Sequence, residues 1–155
     1  MSALDGFMAL WGKARDVFGD GSPVDGAEFD KSAQLQDLHD TIRSAAPSDQ
    51  WSGGAADVYA DQNSEHAAKI SRMAELDRQL GIEVDRSAAV VAAGRRDLDA
   101  VKQWVTDASS NLPATAAGDH ALWSIISRGS GEVSEIIQRS HDDLSAIAER
   151  IARLA

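Results

Sequence analysis

A chain of 155 residues with 25 acidic and 15 basic side chains, net −10, is long enough to bury a core of its own. It lacks the clustered cations that nucleic acid or an anionic membrane surface requires, which leaves basic partners open. The absence of cysteine excludes disulfides, thiolate zinc sites and a cysteine nucleophile, and no run of about 18 apolar residues is present to cross a bilayer. Few aromatics, abundant alanine and no period-two alternation point to close-packed helices rather than sheet.

At the start, Met1-Ser2-Ala3-Leu4-Asp5 has neither the basic nor the apolar region of a secretory signal, so any export would use another route. Leu4, Phe7, Met8, Trp11, Ala14 and Phe18 mark one face of a helix over residues 3–17, widened by Leu10 and Val17, before Gly19-Asp20-Gly21-Ser22-Pro23 breaks it. The stripe reads as a face docked on the bundle, with a partner-binding surface as the alternative.

A second helix is expected over residues 26–46, with Leu35, Leu38, Ile42 and Ala45 on its face and Pro47 as its stop. The link Pro47-Ser48-Asp49-Gln50 is short, so the helices on either side should be antiparallel neighbours. Trp51 stands at that bend as a cap on the seam. Gly53 and Gly54 let the backbone turn, and Asp57 complements the new helix dipole.

From Gly54 the chain reads as one long helix over residues 54–112. Steps of three and four from Ile70 give Met73, Asp77, Leu80, Val84, Ser87, Val91, Gly94, Leu98, Val101, Val105, Ala108 and Leu112, and ten of these thirteen positions are apolar. The seam extends back through His66, Asn63, Tyr59 and Ala56. That is the coiled-coil period, and a helix of this length would span roughly 85 Å, which predicts a rod. Gly81 and Gly94 are possible kinks, but the apolar phase is preserved across both. Asp119 is the expected N-cap of a short helix over residues 119–128, Gly129-Ser130-Gly131 is read as a break, and a last helix over residues 132–154 folds back along the long one.

Catalytic, cofactor-binding and metal-ligating residues are not expected. His39, His66, His120 and His141 form neither a His-Glu-x-x-His nor a Glu-x-x-His pattern; His66 reads as a core histidine bonded across helices, and His39 and His141 as parts of solvated faces. There is no nucleophile elbow and no phosphate-binding glycine loop.

Trp51-Ser52-Gly53 in the turn of a helical hairpin resembles the WxG motif of type VII (ESX) secretion substrates of mycobacteria. The longer string from Trp51 through Tyr59 to Ala60, followed by Asn63, His66 and Leu76-Asp77-Arg78-Gln79-Leu80, is similar to the N-terminal region of the EspA/EspE family, as is the opening Ser2-Ala3-Leu4-Asp5-Gly6. The resemblance implies an all-α, elongated antiparallel helical hairpin or bundle of WxG/PPE type, with flanking helices packed along it in a single domain. It implies a leaderless ESX substrate or secretion-associated protein, cytoplasmic before export and secreted or surface-bound after it. Such a protein would act by protein–protein contact, with a virulence or host-interaction role and no catalysis. Trp51, Gly53 and Tyr59 would form the motif read by the ESX machinery or a dedicated chaperone.

In such systems the WxG turn lies beside a Tyr-x-x-x-Asp/Glu motif, and here Asn63 stands where the acid would follow Tyr59. That implies a small EspC- or PE-like helical partner supplying the motif in trans, unless the last helix fills the same groove. A homodimer is a further expectation. The alternative reading is a cytoplasmic helical adaptor or chaperone whose Trp51 is purely structural. Relatives of the EspA type continue into an apolar region, whereas this chain turns polar after Arg128, so a membrane-associated role is not carried over.

Overall fold

A computed structural model describes residues 2–48 and 50–155; Met1, and Asp49 of the expected link, lie outside the described residues. The chain is all-α: α1 spans Ala3–Val17, a 3₁₀ turn Gly26–Glu28, α2 Ser32–Ser44, α3 Gly54–Ser109 and α4 Ala116–Leu154. Two compact units share α3 and α4, one made of Met1–Pro23 and Ser87–Glu149, the other of Val24–Arg86 and Arg150–Ala155.

In the first unit, α1 opens with a reciprocal cap. The Ser2 hydroxyl accepts from the Asp5 N–H (3.1 Å) and the Asp5 carboxylate accepts from the Ser2 N–H (2.8 Å), satisfying two donors that a helix start otherwise leaves free. Phe7 and Ala14 are buried, and Leu4, Met8 and Trp11 pack half-buried against Leu98, Val101, Val105, Ile126 and Val133. The Trp11 indole N–H donates to the Leu98 carbonyl at 2.6 Å, with the Lys102 ammonium 4.3 Å from the ring centre. Beyond the helix, Phe18 lies against Gly94, where a Cβ would overlap its ring. Arg95 donates to the Phe18 carbonyl at 2.7 Å. Gly94 is therefore a seat for an aromatic ring inside an unbroken helix, not a kink.

The expected break at Gly129-Ser130-Gly131 does not occur. A single helix, α4, replaces the two expected over residues 119–128 and 132–154. Gly129 is buried, and a Cβ there would press on Val105 and Phe7, so the missing side chain admits close helix packing. That contact offsets the roughly 1 kcal/mol an interior glycine costs. Arg128 and Glu132, 3.1 Å apart, bridge the stretch on the outside. The helix starts earlier than Asp119 because the Thr115 hydroxyl accepts from the Gly118 N–H (3.2 Å) and takes the capping place. The long helix ends at Ser109 rather than 112. The hydroxyls of Ser109 and Ser110 donate to the carbonyls of Val105 and Asp107, and Pro113 bars continuation.

In the second unit the expected helix 26–46 is split. Asp25 accepts from the Ala27 N–H (2.9 Å) to cap the 3₁₀ turn, and the Gly26 N–H donates to the Asp85 carboxylate of α3 at 2.7 Å. Asp30 then accepts from the Ser32 N–H (2.9 Å) where α2 begins, and the Ser32 hydroxyl together with that N–H holds the Asp30 carboxyl below its ordinary range. α2 runs antiparallel to α3: Ile42 and Ala45 share a groove with Tyr59 and His66, His39 with Ala67, and Ala33 with Glu75.

One file of the expected seam is displaced by a residue. Ala56, Asn63, Ala67, Ala74 and Gly81 are buried positions of α3 on the side of α2 and the 3₁₀ turn, whereas Tyr59, His66 and Met73 are exposed. Leu38 of α2 is exposed too, and Leu35, His39 and Ile42 are half-buried in its place. The distance between packed helices follows the side chains between them, and alanine and glycine let α2 approach where tyrosine and methionine would hold it off. His66 is therefore not a core histidine. Glu83, only 7% exposed, is held by Arg86 of its own helix and by Arg150 of α4 at 3.0 Å, so its buried charge is paired from two sides.

Candidate functional site

The turn that joins α2 to α3 carries the expected motif residues. The Trp51 N–H donates to the Ser48 carbonyl at 2.9 Å, which closes the bend. Gly53 follows with φ of 114°, a backbone conformation that L side chains rarely adopt, and no atom lies within 4 Å of where its Cβ would be. Conformation rather than space demands glycine there. Its carbonyl accepts the Asp57 N–H at 3.1 Å, the first bond of α3, and the Asp57 carboxylate sits in the first turn, where the helix dipole favours a negative charge.

Trp51 does not cap the helix seam from inside. It is 47% exposed, and its ring lies 5.3 Å from that of Tyr59, tilted by 48°. Tyr59, in the second turn of α3, is itself 41% exposed. An offset aromatic pair of this kind contributes about 0.5–1.5 kcal/mol beyond the area it buries. The structure thus brings Trp51 and Tyr59 together on the surface, with Gly53 setting the turn that allows it. Beside them runs a groove of about 170 Å³ lined by Ile42, Ala45, Tyr59, Gln62, Asn63 and His66.

Asn63, placed on the seam by its spacing, is buried as expected, and its amide adds a feature that spacing does not show. It is 7% exposed, and its amide nitrogen has no hydrogen-bond partner among the described residues. The position four residues after Tyr59 faces α2, so an acid there would have to bury its charge. Asn63→Asp is accordingly expected to cost about 1–3 kcal/mol at pH 7. Desolvation would raise the new carboxyl's folded pKa above its unfolded value. The penalty is then full at neutral pH and fades as pH falls through the raised pKa. Thermal melts of the variant and the parent chain should converge on acidification, and a constant gap would contradict this.

The carboxyls with shifted pKa beyond the turn are held by neighbouring donors on the surface. His39 bonds the Asp40 carboxylate at 3.1 Å, holding that carboxyl below its usual range. Glu75, gripped by Arg78 and Gln79, is lowered to about 2 while remaining on the surface. Among the described residues no group of three His, Asp or Glu side chains is placed to hold a metal ion, and no helix is long and apolar enough to cross a membrane.

Comparison with known proteins bears on this turn directly. The profile of the EspA/EspE family matches residues 18–100, a span that includes Trp51, Gly53, Tyr59 and Asn63. The ESX-1 secretion-associated protein EspE of Mycolicibacterium smegmatis is 29% identical over 98 residues, 63% of this chain and 19% of that protein. The ESX-1 secretion-associated protein EspA of Mycobacterium tuberculosis is 30% identical over 126 residues, 79% of this chain and 30% of that protein. The chain therefore matches less than a third of the length of these relatives, and no solved structure matches it significantly. Because the matched profile covers more than half of its residues, the chain belongs to the EspA/EspE family.

Proposed function

We propose that this protein is a substrate or secretion-associated component of a type VII (ESX) system, acting through protein–protein contact, and that its Trp51–Gly53–Tyr59 turn is the surface read by the export machinery or a dedicated chaperone. One observation carries the reading. Two aromatic rings in tilted contact stand nearly half exposed at a helix start whose geometry requires glycine. Exposed aromatic pairs are what binding partners bury, and a purely structural tryptophan would be covered. The names of the two relatives, both secretion-associated, support the same direction.

Asn63 favours a small EspC- or PE-like helical partner that brings its own Tyr-x-x-x-Asp/Glu, because an acid at this position would be buried against α2. Filling of the groove by α4 itself is less well supported, since only Arg150–Ala155 of that helix belong to the second unit.

The test is Trp51→Ala in a host with a working type VII apparatus. The variant should keep its helical circular dichroism, lose at most about 1.5 kcal/mol of stability, and disappear from the culture filtrate while it accumulates in cells. Normal export of the folded variant would overturn the proposal. A large loss of stability with unchanged localisation would instead favour a cytoplasmic adaptor with a structural tryptophan.

A further inference from the structure

In the second unit α2 covers only one edge of α3. The other edge consists of two files of residues on one face, 59, 66, 73 and 80 beside 62, 69, 76 and 83, with 58, 65 and 72 along its margin. Val58 and Tyr59 at one end of this face are 57 and 41% exposed and Met73 and Leu76 further on are 52 and 40% exposed, so two uncovered apolar patches stand about four turns apart with Gln62, His66 and Lys69 between them. Exposed apolar patches rimmed by polar residues mark interaction surfaces.

The charges along α3 indicate what kind of helix belongs there. At residue 83 the same file is already occupied, for Arg150 of α4 pairs with Glu83 at 3.0 Å. In the other unit the residue two heptads on, Asp97, takes Arg139 of α4 at 3.1 Å. Where α4 lies on this file, α3 offers acids and α4 brings arginines. On the uncovered stretch the sign reverses, with Lys69 on the file and Arg72 at its margin. Among the described residues neither forms an ion pair, while His66 adds a third basic group and Glu65 is the acid nearest to them in sequence on that margin.

We propose that this face of α3 binds an amphipathic helix of a partner protein. Its apolar stripe would cover Tyr59, Met73 and Leu76, and its acidic flank would pair with Lys69 and Arg72. The inference rests on the reading that a helical partner acts in trans, and it assigns that partner a surface and a charge. The cover continues an interface that α4 begins at Glu83, and like-charge contact with Lys69 and Arg72 would reject a basic helix.

The experiment uses the full chain and two fluorescent four-heptad peptides with leucine at the core positions, one carrying glutamate and the other lysine at the flanks. Anisotropy at low salt should show the glutamate peptide binding at least about tenfold tighter. The double variant Lys69→Glu, Arg72→Glu should invert that preference, and Met73→Glu should abolish binding of both peptides. All three residues are exposed, so these variants are expected to fold, and circular dichroism checks that they do. Absence of binding, equal affinity for the two peptides, or a preference unchanged in the double variant would overturn the proposal. So would a dimer of the chain alone that Met73→Glu splits, because a second copy would then own the face. The assay involves no secretion, so its failure is distinct from normal export of Trp51→Ala, which bears only on the turn.

Discussion

Replacing Phe7 with alanine is expected to cost about 3–5 kcal/mol, the largest effect of any single truncation considered for this chain. Phe7 is 2% exposed, lies at the heart of the first unit's core, and stands at Gly129, where α4 comes close enough that a methyl group on the glycine would already press on the ring. No neighbour can collapse into the space, because Val105, Leu98 and Val133 are themselves fully buried on continuous helices. In a domain of this size the loss corresponds to a fall in melting temperature of roughly 6–20 °C. Amide hydrogen exchange locates the damage. Protection should be lost first around residues 98–105 and 126–136, while residues 56–74 keep theirs until global unfolding. Uniform loss would show that the two units unfold as one.

Gly26→Ala should damage the second unit instead. A methyl group there would run into the backbone carbonyl oxygen of Gly81 and lie 2.7 Å from an Asp85 carboxylate oxygen. Backbone on a 56-residue helix cannot step aside as a side-chain tip can. The 3₁₀ turn must therefore lift off, and the Gly26 N–H loses its bond to Asp85. Overpacking and the lost hydrogen bond together are worth about 2–3 kcal/mol. Thermal melts should show the loss, and exchange should rise over residues 26–44. A variant with unchanged stability would mean that the turn is not seated on Gly81 as described.

Much of the helical order was readable from spacing, and the failures share a cause. α1 announced itself because its apolar residues recur on one face and glycines and a proline break the chain after it. The long helix was legible because its phase survives Gly81 and Gly94. Glycine misled at Gly129, where a local rule reads a break and the tertiary contact with Phe7 and Val105 makes the missing side chain the reason two helices can touch. The same blindness to close approach displaced the seam. Stepping at the coiled-coil period chose Tyr59, His66 and Met73, and packing chose Ala67 and Ala74. At the turn the three motif residues were legible only through resemblance. No periodicity reveals that Trp51 leans on Tyr59 or that Gly53 needs a positive φ, whereas the burial of Asn63 was legible from its place on the seam. Glu83 was missed because its partner Arg150 lies 67 residues away, a separation across which charge pairing leaves no local trace.

The seat of α1 also has a bearing on how the chain comes off the ribosome. Trp11 bonds a carbonyl 87 positions downstream, and the residues that cover Phe7 and Phe18 are translated about as late. At ordinary elongation rates the first helix therefore waits about 4–17 s with its greasy side bare. A fifteen-residue helix is barely stable by itself, so during that interval the nascent N-terminus is an open ligand for any holdase that reaches it before Leu98 does.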